Sequence, residues 1–284
     1  MTKTCEGVLS AMVIMLTLAA SACGKPATPP QRDSAFDAME TVQWNLPKQL
    51  REVSGLAVGA DERLFAHDDE RAVIYEIDWH HGRVSKAFAL GDPPLKDDFE
   101  GIAIAGTDFY LVTSAGVLYR AAEGDDGAHL AYERVDTGTG QRCEIEGLAY
   151  DVRRALLLLG CKAPREASLK GRVSVFAWAP ERRAIDERAS FSVPEKQFAA
   201  AIDATHFNPS SIEVSRDGSR LYLLAGRQRA LAEVDLNGGL VAVTPLPAKQ
   251  HRQPEGLAIG PHGEMFIADE GGGGSATLAI YRRR

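Results

Sequence analysis

Short apolar segments alternate with polar turns along nearly the whole chain after residue 40. Each segment is four to eight residues long, rich in aliphatic, β-branched or aromatic residues, and bounded by Gly, Asp or Asn. Segments of this length and composition are typical of β-strands. They follow one another in groups of four, and no long amphipathic pattern of helical period is evident. The pattern therefore predicts an all-β fold made of four-stranded units.

A four-residue motif, Glu-Gly-aliphatic-Ala, marks the first strand of each group. Complete copies begin at Glu100, Glu146 and Glu255. Ser54 begins a copy in which serine replaces glutamate, and Ser211 begins a degenerate copy. Successive copies start 46, 46, 65 and 44 residues apart. A period of roughly forty residues with four short strands is typical of β-propeller blades, so the five copies predict five blades.

The longest interval between motif copies also allows a count of six blades. A sixth blade would fit if the 65-residue interval contained a short extra unit. We favour five, because two loops, 161–171 and 194–210, account for the excess length. The fifth group has only three strands, and residues 41–46, in which apolar and polar residues alternate, can supply the fourth. This N-terminal strand would close the ring and remove the free sheet edges.

The first 22 residues are typical of a signal peptide. A lysine precedes an apolar run over 8–20 that is short for a membrane span. The run ends in Ala-Ser-Ala before Cys23, which resembles the lipobox of bacterial lipoproteins, although leucine is usual where Ala20 stands. We expect lipid on Cys23; cleavage near Ala22 without lipid is the alternative, and either route exports the protein. Gly24, in place of an inner-membrane retention aspartate, favours the outer membrane, with the domain in the periplasm.

The remainder divides into a tether and one domain. Residues 23–40 are rich in proline, alanine and polar residues, which predicts a flexible tether, and residues 41–284 form a single predicted propeller domain. The formal net charge of −7 argues against a nucleic-acid partner. We expect a monomer that touches the membrane only through its lipid and meets an unidentified envelope ligand or protein.

Two cysteines remain after processing, in an oxidising compartment. Cys5 leaves with the signal peptide and Cys23 is assigned to lipid, so Cys143 and Cys161 are left. In a hairpin turning near residues 152–154, Cys143 would lie opposite a residue near Ala163, within reach of Cys161. We predict a Cys143–Cys161 disulfide, with two free thiols as the alternative.

The repeated motifs resemble those of the SdiA-regulated family of bacterial propeller proteins. The resemblance spans residues 50–281 and is more distant to phytase-like propellers, which are calcium-dependent phosphatases. Ser54 and Ser211, where glutamate would be expected, depart from the pattern. The matching segments are Val53–Ala57, Asp97–Gly101, Glu144–Asp151 and Gln253–Ala258. The resemblance implies a fold more than a function, because the family's biochemical role is poorly defined.

The motif glutamates are candidates for a metal site. The innermost strand of each propeller blade lines the central channel, so residues at equivalent repeat positions should converge on one channel mouth. The candidate ligands are Asp69, Glu100, Glu146, Glu255 and Asp269. Carboxylates without cysteine or clustered histidine favour a hard cation, calcium before magnesium. The alternative is structural: each glutamate would join neighbouring blades through backbone N–H groups.

Basic residues are predicted on the opposite side of the same mouth. Arg227, His251 and Arg252 come from the fourth and fifth groups and are candidate ligand-binding residues. The two long loops add further residues to the predicted rim: Lys162, Arg165, Lys170, Phe198, His206 and Phe207. No nucleophile elbow, phosphate-binding loop or dinucleotide fingerprint occurs. We therefore favour a non-enzymatic binding or scaffold module with its ligand site at the channel mouth, over a calcium-dependent, phytase-like phosphoesterase.

Overall fold

Five small antiparallel sheets are arranged as the blades of a β-propeller, which confirms the predicted all-β, five-bladed fold. The computed structural model describes Met1 and residues 39–283. The predicted signal peptide, Cys23 and nearly all of the predicted tether lie outside the described residues. Within the described part of the chain, no helix is long and apolar enough to span a membrane.

In blades 1 to 4 the strands run outward from the innermost strand in chain order. An N-terminal strand, β1 (Met39–Asn45), precedes the first blade. Blade 1 contains β2 (Val53–Val58), β3 (Leu64–Asp68), β4 (Val73–Asp78) and β5 (Arg83–Leu90). Blade 2 contains β6 (Phe99–Ala105), β7 (Asp108–Thr113), β8 (Val117–Ala122) and β10 (Glu133–Asp136), while the short β9 (His129–Leu130) pairs in parallel with β5. Blade 3 contains β11 (Cys143–Asp151), β12 (Leu156–Pro164), β13 (Arg172–Ala179), β14 (Ala184–Ile185) and β15 (Phe191–Pro194). Blade 4 contains β16 (Ser211–Val214), β17 (Leu221–Ala225), β18 (Ala230–Val234) and β19 (Leu240–Pro245). Blade 5 contains β20 (Pro254–Ile259), β21 (Met265–Asp269) and β22 (Thr277–Arg283).

Helical structure is confined to short segments of the described chain. One α-helix, α1 (Lys196–Ala200), lies between blades 3 and 4. Three single 3₁₀ turns occupy Lys48–Leu50, Thr139–Gln141 and Ala167–Leu169.

The N-terminal strand closes the ring, as the sequence predicts. Strand β1 pairs antiparallel with β22 and completes blade 5, whose order is β1-β22-β21-β20. It begins at Met39, two residues earlier than the predicted start. The first and last parts of the domain therefore share one sheet, and blade 5 has no unpaired outer edge on β22.

Five hydrophobic cores lie between neighbouring blades, and the repeated motif explains how each is built. The aliphatic residue of the motif packs against the preceding blade, and the alanine packs against the following one. In blade 3, for example, Leu148 lies in a core with blade 2, while Ala149 lies in a core with blade 4. This alternation follows from the two-residue period of a strand, which turns successive side chains to opposite faces.

The motif glycines let the innermost strands approach one another near the axis. A Cβ added at Gly101 would lie 2.6 Å from the backbone nitrogen of Leu148, and one at Gly147 would lie 2.7 Å from that of Ile212. Gly147 also has a φ of 89°, which side chains rarely tolerate. Any larger residue at these positions would push neighbouring blades apart.

Cys143 and Cys161 form the predicted disulfide, with their Cα atoms 5.7 Å apart. Both residues are buried and join β11 to β12. Cys143 lies opposite Pro164, the residue next to Ala163, and Cys161 lies opposite Ile145, two residues from Cys143. The predicted pairing of Cys143 with a residue near Ala163, within reach of Cys161, is therefore confirmed, although the β11–β12 ladder is irregular around Glu144 and Ile145.

Candidate functional site

Irregular pairing between the first two strands of a blade positions the first residue of the motif. In blades 1, 2, 3 and 5 the pairing of the first two strands shifts where the motif begins. Ser54, Glu100, Glu146 and Glu255 have no partner in the ladder at these shifts. A β-bulge bends its strand and re-aims the side chain of the extra residue, which is why bulges are common beside functional sites.

These four residues line one cavity of about 490 Å³ at the mouth of the channel. All five blades, or the connections next to them, contribute to it. The lining residues are Ser54, Asp69, Glu100, Glu146, Lys162, Gly226, Arg227, Arg229, Arg252, Gln253, Glu255 and Glu270. The volume falls in the range of small-molecule binding sites. The lining of such sites is usually apolar, whereas the lining of this cavity is mainly charged.

One pair of opposite charges in the cavity is in direct contact. Lys162 of β12 forms an ion pair with Glu146 of β11, whose side chain is only 3% exposed. The Lys162 charge also opposes the upward pKa shifts of Glu100 and Glu255, so the ammonium group lies among the motif glutamates. A buried carboxylate needs such a partner to stay ionised.

The other carboxylates of the cavity lack a cation in contact. Among residues 39–283, no basic group lies within 4.0 Å of Asp69, Glu100, Glu255 or Glu270. Glu100 accepts a hydrogen bond of 3.1 Å from Ser54 Oγ, and Glu270 accepts one from the side-chain amide of Gln253. Asp69 Oδ1 is buried and has no hydrogen-bond partner.

Burial and mutual repulsion raise the pKa values of these carboxyl groups. Burial, aided by the charge of Asp98, raises the pKa of Glu100 to about 8. Burial and the charge of Glu255 raise the pKa of Glu270 to about 7, and burial with Glu52 raises that of Asp69 to about 6. Burial also raises the pKa of Glu255. The cavity therefore holds several carboxyl groups that would gain from a cationic partner.

Three guanidinium groups complete the lining. Arg227 and Arg229 lie in the turn between β17 and β18, and Arg252 lies just before β20. In the described part of the chain, none of the three has a carboxylate within 4.0 Å. Arginine and carboxylate groups thus line the same cavity without pairing with one another.

The structure places two predicted site residues elsewhere. His251 is fully buried, with Nδ1 2.7 Å from Asp269 Oδ2 and Nε2 2.6 Å from the hydroxyl oxygen of Tyr281. The other oxygen of Asp269 accepts a hydrogen bond from the backbone N–H of Gln253. Neither His251 nor Asp269 lines the cavity, because both side chains turn into blade 5. They fix the segment that carries Arg252 and Gln253.

The long loops contribute less to the rim than the sequence suggests. Phe198 and Phe207 are buried and pack in the core between blades 3 and 4. His206 is exposed and lies 3.1 Å from Glu195. Lys162 alone among the six predicted rim residues lines the cavity.

Sequence reasoning did not single out Arg229 or Gln253 as site residues. Glu270 directly follows the second strand of its blade, as Asp69 does in blade 1, and this position at a strand end already points to the channel mouth. Arg229 has a positive φ of 48° in a four-residue turn, a local geometry that composition does not reveal.

Residues 39–283 contain no group of three or more His, Cys, Asp or Glu side chains arranged to hold a metal ion. Two of the five candidate ligands are engaged otherwise: Glu146 contacts Lys162, and Asp269 contacts His251. Asp69, Glu100 and Glu255 line the same cavity but come from three different blades. Calcium binding stays a prediction.

The fold and the cavity together define a five-bladed β-propeller with bulged, inward-facing glutamates and a charged recess at one end of its axis. The chain belongs to the SdiA-regulated family, which matches residues 37–272. This agrees with the resemblance seen in the repeated motifs.

Solved structures share the architecture at low sequence identity. The glutaminyl cyclase of Myxococcus xanthus is similar at 13% identity and a TM-score of 0.59, over 86% of this chain and 95% of that one. A luciferin-regenerating enzyme is similar at 10% identity and a TM-score of 0.54, over 85% of this chain and 95% of that one. Such similarity shows a common fold and nothing about activity. No curated protein matches the sequence.

Proposed function

We propose that this protein is a non-enzymatic binding protein of the bacterial cell envelope, and that its channel-mouth cavity takes up a small charged ligand. One observation carries the proposal: three arginines and four carboxyl groups line the same cavity without pairing with each other. Rigid blades hold these groups, because their positions follow from strand ends, bulges and tight turns.

Unpaired charges in a partly buried recess are costly unless something compensates them. On the outer surface, where solvent screens charge, arginines of this protein commonly meet a carboxylate, as Arg120 meets Asp108 and Arg220 meets Glu233. In the cavity the arginines and the carboxylates are kept apart. Perturbed carboxyl groups gathered in a recess are a mark of functional sites, and a ligand of complementary charge would remove the penalty.

A thermal-shift screen of the mature protein tests the ligand site. The panel contains small carboxylates, phosphates, amines, zwitterions and neutral sugars. We expect charged compounds to raise the melting temperature, because a ligand that binds only the native state stabilises it. The shift should be lost in Arg227→Gln and kept in Arg188→Gln, a matched change at an exposed arginine of blade 3. Stabilisation by no compound, or an equal shift in Arg227→Gln, would contradict the proposal.

The envelope location rests on the sequence around Cys23. We propose that lipid on this cysteine anchors the protein, with the propeller in the periplasm and the outer membrane favoured. Acyl chains contribute about 0.8 kcal/mol per buried methylene, so several chains hold a protein firmly. A Cys23→Ser variant should move from the membrane to the soluble envelope fraction. Unchanged fractionation would place the anchor elsewhere.

The calcium-dependent phosphoesterase stays an alternative prediction. A phosphatase assay of metal-stripped protein, with and without added calcium, separates it from a binding protein. Calcium-dependent turnover that is lost in Glu100→Gln would favour the enzyme.

A further inference from the structure

We propose that the ligand of the channel-mouth cavity is a small zwitterion, with a carboxylate held by the arginines of blade 4 and an ammonium group held by carboxylates of blades 1 and 5. The inference rests on the proposed function and specifies the chemistry of its ligand. It follows from where the two signs of charge lie, from an unsatisfied acceptor and from the charge balance of the cavity.

Two of the three arginines and two of the four unpaired carboxyl groups come from different parts of the ring. Arg227 and Arg229 belong to the turn between β17 and β18 of blade 4. Asp69 follows β3 of blade 1, and Glu270 follows β21 of blade 5. Glu52 adds negative potential on that side, because its charge contributes to the raised pKa values of both Asp69 and Glu270. A molecule in the cavity therefore meets a cationic wall formed by Arg227 and Arg229 and an anionic wall formed by Asp69 and Glu270, while blade 5 also contributes Arg252 and Glu255 to the lining.

The anionic wall contains an acceptor without a donor. Asp69 Oδ1 is shielded from solvent and has no hydrogen-bond partner within the described residues. A buried acceptor without a partner is unfavourable, and a ligand that donates to it recovers the lost interaction. An ammonium group carries three donors and no acceptor, which suits a wall made of carboxylates.

The cationic wall suits a carboxylate. A guanidinium group presents paired N–H donors in a plane and binds carboxylate or phosphate through two parallel hydrogen bonds. Arg227 and Arg229 have no carboxylate of the described chain within 4.0 Å. Their donors are therefore not committed to an internal ion pair.

The charge balance favours a ligand without net charge. Apart from the contact pair Glu146–Lys162, the cavity contains four carboxyl groups and three guanidinium groups. A phosphate dianion would meet the carboxylates that are ionised at neutral pH, among them Asp69, and a simple amine would meet three guanidinium groups. Like charges in contact repel in a partly buried cavity, so both ligands are disfavoured. A zwitterion satisfies both walls at once.

Three matched peptides test the inference by calorimetric titration of the mature protein at millimolar ligand. L-alanyl-L-alanine carries both charges, its N-acetyl derivative lacks the ammonium group, and its C-terminal amide lacks the carboxylate. We expect the free dipeptide to bind at least about tenfold more tightly than either derivative, because each deletes one charged contact.

Two variants test which wall of the cavity contacts which charged group of the dipeptide. Arg229→Gln should abolish the preference for the free dipeptide over its amide, and Asp69→Asn should abolish the preference over the N-acetyl derivative. Glu181→Gln, an exposed residue of blade 3, is the control and should change neither preference. Because the three peptides are compared on the wild-type protein, the test does not depend on the folding of any variant.

The outcomes separate this inference from the proposed function. Equal or tighter binding of the N-acetyl derivative makes the ligand an anion, and equal or tighter binding of the amide makes it a cation; each overturns the zwitterion while the binding site stands. If none of the three peptides binds and a compound that is not a zwitterion stabilises the protein through Arg227, the zwitterion is again overturned. If no compound of any class binds, both proposals fail.

Discussion

Glu100 is a cavity carboxyl group whose surroundings oppose its ionisation. Burial, with the nearby charge of Asp98, raises its pKa to about 8, and Lys162 and the Ser54 hydroxyl only partly counter this. Between the unfolded pKa near 4.5 and the folded value near 8, the folded state holds a proton that the unfolded state has lost. The group therefore stabilises the fold at low pH, and this stability is lost as the pH rises through that window.

We predict that Glu100→Gln removes this pH dependence. The free energy of unfolding of the wild type, relative to the variant, should fall by about 1.4 kcal/mol per pH unit between roughly pH 5 and 8. Urea unfolding at a series of pH values measures it. Glu181→Gln, at an exposed position, should follow the wild type. Parallel curves for the wild type and Glu100→Gln would mean that Glu100 ionises normally.

The Glu146–Lys162 pair predicts a strong energetic coupling. In Lys162→Met the carboxylate of Glu146, 3% exposed, loses its contact cation. We expect a loss of about 3 kcal/mol in unfolding free energy, since breaking a buried pair leaves an uncompensated charge. Adding Glu146→Gln should restore most of it, and Lys170→Met, at an exposed lysine, should cost little. Additive effects in this double-mutant cycle would contradict the coupling.

At the level of single residues, the sequence predicted which positions face the channel mouth but not what each side chain contacts. The repeat placed Glu100, Glu146 and Glu255 at equivalent points, and all three line the cavity. Asp269 is the last residue of β21, directly before Glu270, yet it turns to His251 inside blade 5. A repeat fixes backbone position, whereas side-chain direction depends on neighbours that are distant in sequence.

Among the elements, the innermost strands contain a structural irregularity that the regular sequence repeat does not show. The apolar pattern predicts these strands, but it does not reveal the bulges that aim the glutamates into the cavity. Blade 4 has no bulge between its first two strands, because β16 pairs regularly with β17. There Ser210 Oγ accepts from the backbone N–H of Gly226 and donates to the carbonyl oxygen of Pro254, joining blades 4 and 5.

The outer edge of blade 3 is divided between two short strands. Strands β14 and β15 both pair with β13. Asp186 lies between them and accepts hydrogen bonds from the backbone N–H groups of Arg188 and Ala189. Such side-chain capping of a turn competes with strand pairing and is hard to foresee from hydrophobicity.

The disulfide gives a prediction for the β11–β12 element. Replacing both Cys143 and Cys161 by serine should lower the free energy of unfolding by about 3 kcal/mol, since the bridge restricts the unfolded chain. Denaturant unfolding measures the loss, and the oxidised wild type is the reference. Reduced wild type should resemble the double variant. Labelling of two thiols at these positions in unreduced, denatured protein would show that the bridge does not form.

For the whole molecule, the intervals between motif copies were sufficient to predict five blades and a closed ring. The long interval between blades 3 and 4 was assigned to loops, and the structure shows what part of it does: Phe198 and Phe207 fill the core between those blades. The shape and charge of the cavity were beyond the sequence. It draws on all five blades, so it depends on how far apart the ring holds them.

Closure of the ring predicts that a seven-residue strand controls the stability of the domain. Strand β1 pairs with β22 along its full length, Trp44 Nε1 donates to the carbonyl oxygen of Trp79 at 3.1 Å, and Leu46 is buried in the core between blades 5 and 1. Deleting residues 39–46 would expose the edge of β22 and open that core to water. We expect the melting temperature to fall markedly and the protein to aggregate through the exposed edge, as measured by thermal unfolding and light scattering. Deleting residues 25–34, which precede β1 in the sequence, is the control and should leave the melting temperature and the light scattering unchanged. Equal melting temperatures for the two deletions would show that the ring is stable without its N-terminal strand.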